Sequence, residues 1–140
     1  MKILVAEYAY ALGLSGTVEL EGRAMLAALV GSFSRCGHDV VYPTGGPELD
    51  EGQPFLIRTK EDFEALLEGD ADAGLLIAPD GMQPHLLEIL EKNTANLGSS
   101  PAAAALAADK LLCTRALAQA GVPVADIVEK PDPVEKGCQR

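Results

Sequence analysis

The chain has 140 residues, 48% hydrophobic and 23% charged, with a formal net charge of −10 from 21 acids against 11 Lys and Arg. That length suits one ordinary domain with its own core, and the composition excludes disorder. The acidic balance argues against nucleic acid and anionic membranes as partners, and no apolar run approaches the roughly 20 residues of a spanning helix.

Lys2–Ala6 (KILVA) is a short continuous apolar run, the mark of a strand buried on both faces, and not a signal peptide. A cytoplasmic protein is therefore expected. A Gly-punctuated loop follows, Glu7–Gly16, and Thr17 is expected to cap a helix with Glu19 and Glu21 in its first turn. Leu26, Leu29, Val30 and Phe33 recur at helical spacing, and Gly37 ends the helix. Asp39–Tyr42 reads as a second strand, and Pro43–Pro54 as an acidic, turn-forming loop. Phe55–Ile57 is a short strand or a loop anchor. Thr59 with Asp62 fits a capping box ahead of Phe63, Leu66 and Leu67.

Gly74–Ala78 (GLLIA) is a third buried strand, ending at Pro79-Asp80-Gly81. Met82, Leu86, Ile89 and Leu90 make a helical stripe, and Asn96-Leu97-Gly98 closes a short fourth strand. Ser100 before Pro101 is a strong helix start. Asp109 opens a second helical piece carrying Cys113, Ala116, Leu117 and Ala120, closed by Gly121-Val122-Pro123. Val124–Val128 reads as one more strand, and residues 129–140 as a polar linker after a domain spanning 1–128. Cys36, Cys113 and Cys138 are odd in number and far apart, so reduced thiols are expected.

Buried strands alternating with amphipathic helices imply an α/β fold, a Rossmann-like doubly wound parallel sheet of four or five strands. Ligands of such sheets sit beyond the carboxyl ends of the strands, where the strand order reverses. Four loops then matter: Glu7–Thr17, Pro43–Gly52, Pro79–Met82 and Gly98–Pro101. Glu7, Glu19 and Asp80 could hold a substrate ammonium there, although first-turn acids also serve the helix dipole and Pro-Asp-Gly is an ordinary turn. Ser99 and Ser100 combine a capped helix start with small side chains that let a ligand approach. Gly13-x-x-Gly16-Thr17 lacks the features of a dinucleotide or Walker A loop. His85 has no partner at nucleophile-triad spacing, so no catalytic residue and no metal ligand is assigned.

Asn96–Asp126 (NLGSSPAAAALAADKLLCTRALAQAGVPVAD) carries a more specific pattern, G-S-S…DK…GVPV. It resembles the entry into ATP-grasp carboxylate–amine ligases, including D-alanine–D-alanine ligases. With EYA…GTVELEGRAML and LLIAPDG, the chain resembles most closely the archaeal-type tyramine–L-glutamate ligases of methanofuran biosynthesis. The resemblance implies a preATP-grasp domain that contacts amine and carboxylate substrates, joined to a C-terminal ATP-grasp domain that binds ATP and magnesium. A homodimer is also implied. In this family ATP phosphorylates a carboxylate, and an amine attacks the acyl phosphate to give an amide, ADP and phosphate. Lys110 matches a lysine that reaches ATP phosphates, Glu19 an acid that holds a substrate amino group, and Ser99 and Ser100 the small residues of the substrate edge. Lys130-Pro131 and Gly137-Cys138 only echo a later family motif. The chain alone is expected to bind no ATP or magnesium and to lack turnover. The alternative is a non-catalytic module that binds a small ligand or partner at the same edge.

Overall fold

The KILVAE run becomes β1 (Lys2–Glu7), the middle strand of the sheet, and its interior residues are buried on both faces as a central parallel strand requires. The computed structural model describes residues 1–127. Around β1 lie β2 (Asp39–Thr44), β3 (Gln53–Leu56), β4 (Ala73–Ile77) and β5 (Ala95–Asn96), all parallel, in the order β3-β2-β1-β4-β5. The helices are α1 (Tyr8–Ala11), α2 (Thr17–Arg35), α3 (Lys60–Leu67), α4 (Gln83–Leu90), α5 (Pro101–Ala108) and α6 (Lys110–Gln119). The doubly wound parallel architecture expected from the sequence is the one observed.

Register explains the two cores. Ile3 and Val5 point to one face, where Leu26 and Val30 of α2 meet Val40 and Tyr42. Leu4 and Ala6 point to the other, where Phe63 and Leu67 of α3 and Leu86, Leu87 and Leu90 of α4 close over Leu76. Each fully buried side chain of this size contributes roughly 1.5–3 kcal/mol. The capping box of α3 is present in both directions: Asp62 N donates to Thr59 Oγ1 at 3.1 Å, and Thr59 N donates to Asp62 Oδ2 at 3.0 Å.

The structure corrects four expectations. Thr17 is the first residue of α2 and not its cap; Gly16 holds the cap position at φ +87°, with no side-chain bond to the helix end. The loop expected over Pro43–Pro54 narrows to 45–52, because β2 runs on through Thr44 and β3 begins at Gln53. Tyr8–Ala11, read as loop, forms the short helix α1. Residues 122–127 are exposed and lack strand pairing, so no strand begins at Val124; Val128 lies outside the described residues. The linker at 129–140, with Lys130-Pro131 and Gly137-Cys138, also lies outside them.

Helices α5 and α6 differ from the rest. Helix α5 packs on α4, and α6 packs on α5, yet neither contains a buried residue. No described helix is long and apolar enough to cross a membrane.

Candidate functional site

All five strands point the same way, so Glu7, Thr44, Leu56, Ile77 and Asn96 end at one edge. The strand order reverses between β1 and β4, where Glu7 stands level with Ile77. This is the position where doubly wound sheets open a crevice. Here the crevice is filled from within the chain, because α1 turns directly off β1 and all four of its residues are buried.

Glu7 explains the turn. Only 4% exposed, its carboxylate caps α1 by accepting from Ala9 N at 3.2 Å and Tyr10 N at 2.7 Å. Tyr8 then packs edge-on against Phe63, with ring centroids 5.4 Å apart, while Tyr10 enters the opposite core and donates its hydroxyl proton to the Pro47 carbonyl. Helix α2 approaches the carboxylate so closely that a Cβ on Gly22 would stand 2.3 Å from Glu7 Oε2. On the other side, Gly45 abuts the Ala11 carbonyl. The Glu7 carboxylate is thus enclosed and already engaged, rather than presented to solvent.

The remaining acids lie outside this plug. Glu19 is half-buried in the first turn of α2, and Asp80 is exposed in the turn before α4. Leu97–Ser100 follows β5 on the adjacent side. Ser100 Oγ caps α5, accepting from Ala103 N at 3.2 Å, and Ser99 is exposed. The structure therefore places Glu7 at the end of β1, and Glu19, Asp80, Ser99 and Ser100 in the segments that follow β1, β4 and β5 beyond that edge. Lys110 is elsewhere. It is exposed at the start of α6, separated from the edge by the eight residues of α5, about 12 Å of helix.

Asn96 was not singled out by sequence. Its Nδ2 donates to Glu91 Oε1 and to the Ser99 carbonyl, each at 2.8 Å, and its Oδ1 accepts from Gly98 N at 2.8 Å. These bonds set the path of the Leu97–Ser100 loop. An Asn two residues before a Gly is the available signal, since it favours such a side-chain turn. Glu7 was singled out as a possible ammonium holder, but nothing in the sequence marked it as the cap of a helix at Tyr8–Ala11.

Among the described residues no group of three His, Cys, Asp or Glu is placed to hold a metal ion. Lys110, at the start of α6, stands apart from the edge carboxylates. A cleft of about 490 Å³ lies elsewhere, beside α3 at the start of β1.

No protein-family model matches the chain, and no curated protein matches it. Among solved structures, the chain is similar to the crystal structure of a protein from Archaeoglobus fulgidus assigned to the ATP-grasp superfamily, with 27% identity and a TM-score of 0.70. The match covers 85% of this chain and 40% of that one, so the chain spans about two-fifths of the length of its structural neighbour. The likeness in fold and sequence supports a relation to ATP-grasp proteins.

Proposed function

We propose that this chain is the substrate-binding domain of an ATP-dependent carboxylate–amine ligase working through an acyl phosphate, and that it does not turn over alone. The observation that carries the reading is the match of 85% of the chain to two-fifths of an ATP-grasp protein at 27% identity. Tyramine and L-glutamate are the substrate pair favoured by the sequence resemblance. In this reading Glu19 and Asp80 hold the substrate ammonium, and Ser99 and Ser100 line the path of the carboxylate. Glu7 acts one step back, by seating α1 beneath them.

The second partner is the ATP-binding part, and the α5–α6 hairpin is the surface offered to it. Helix α5 (PAAAALAA) has no polar side chain, and a helix apolar on every side belongs in an enclosed place. Leu106, Leu111, Leu112, Leu117, Val122 and Val124 nevertheless stand 37–51% exposed. Lys110 sits in the same hairpin, where an ATP-binding part docked on it would receive its charge.

Calorimetric titration with tyramine and with L-glutamate, beside an ADP-release assay containing magnesium and ATP, tests this reading. Binding of either substrate with no ADP release by the chain alone is expected. ADP release by the isolated chain, or binding of neither substrate, contradicts it.

A further inference from the structure

One side chain holds the loop that leaves β5. Asn96 is half-buried at the end of that strand, and its amide makes three of the four hydrogen bonds open to it. Nδ2 donates to Glu91 Oε1 and to the Ser99 carbonyl, and Oδ1 accepts from Gly98 N. These neighbours fix the direction of the amide. A carboxylate and a carbonyl accept, and a backbone N–H donates, so the reversed amide would set oxygen against two acceptors and NH2 against a donor. Glu91 is the C-cap residue of α4, and Ser100 caps α5, so the amide ties the end of one helix to the loop that opens the next.

The consequence falls on the two serines. Asn96 takes the Gly98 N–H and the Ser99 carbonyl, whereas no hydrogen bond engages the Ser99 hydroxyl among the described residues. Ser100 Oγ accepts from Ala103 N at 3.2 Å and keeps its own proton to donate. Two adjacent hydroxyl protons on a held loop suit a carboxylate. A loop free to swing would have to be ordered at each binding event, which costs affinity.

We infer that Asn96 is a positioning residue for the substrate carboxylate, holding Gly98–Ser100 in the path that presents the Ser99 and Ser100 hydroxyls. This rests on the reading that these serines meet the carboxylate of the substrate. Asn96 acts through them and is not itself in contact with the ligand.

Calorimetric dissociation constants of the full chain for L-glutamate and for tyramine, which has no carboxylate, test the role, beside hydrogen exchange of the ligand-free chain. Asn96→Ala is expected to speed exchange at the Gly98 amide several-fold and to weaken L-glutamate at least fivefold, with tyramine changed less than twofold. Asn96→Ser, whose hydroxyl can still accept from a nearby backbone N–H, should fall between Asn96→Ala and the wild type. Equal weakening of both ligands, an unchanged constant for L-glutamate, or unchanged Gly98 exchange overturns the role of Asn96 and leaves the binding edge standing. A wild-type chain that binds no L-glutamate removes the reading beneath it, and this inference with it.

Discussion

Two pairs of helices follow the sheet on the same side, and they have opposite fates. Helices α3 and α4 bury Phe63, Leu67, Leu86, Leu87, Ile89 and Leu90 against the strands. Helices α5 and α6, though one of them is wholly apolar, bury nothing completely. Apolar content alone does not decide burial; a strand surface within reach does. The first pair closes a core that the chain itself supplies, and the second leaves apolar side chains exposed.

Substitutions can break this contrast. Phe63→Ala removes a fully buried ring from the α3–α4 core and should cost about 3–5 kcal/mol, read by denaturant unfolding. A cost below about 1 kcal/mol would mean that this core is not closed as described. Gly22→Ala drives a methyl group into the enclosed Glu7 carboxylate and should cost about 2–3 kcal/mol, read as a lowered melting temperature.

Tyr42→Phe sharpens the comparison at the loop over α2. It leaves the Leu49 N–H, which donates to the Tyr42 hydroxyl at 2.7 Å, without that partner, for about 1–2 kcal/mol. Burial, the largest influence, raises the Tyr42 phenol above its usual 10.0, against the opposing Leu49 hydrogen bond. The neutral phenol's contribution is therefore complete below pH 10 and lost as pH rises through the raised native value. In an absorbance titration, Tyr42 should ionise at higher pH in the folded chain than in the unfolded one. Ionisation of Tyr42 at the usual phenol value in the folded chain would contradict its burial.

Thr59→Ala removes one half of the α3 capping box, for about 1 kcal/mol by denaturant unfolding. At the small end, Leu112→Ala in the hairpin should change stability by less than about 0.5 kcal/mol. A large loss there would show that α6 is held by the body after all.

Much of the fold was legible because local chemistry and tertiary role agree. KILVA, GLLIA and the Thr59–Asp62 box are each satisfied by a strand or a cap where they stand, and the structure uses them so. The misreadings have the opposite character. Tyr8–Ala11 is too short to show a helical period, and its helix depends on a buried Glu7 and on the close approach of Gly22, both set by distant packing. Val124 and Ile127 look like strand residues, yet no strand edge receives them among the described residues. The edge loops were legible from topology alone. The Asn96 bonds that shape one of them, and the α1 plug beneath them, required coordinates.

The central claim is that substrates meet this domain at the strand-end loops above α1. An assigned amide-shift map of the chain, titrated with L-glutamate and then tyramine, tests it most directly. The account predicts that Gly16–Glu19, Asp80–Met82 and Gly98–Ser100 move together and saturate with one dissociation constant for each ligand. Saturable shifts that leave all three segments unmoved would contradict it.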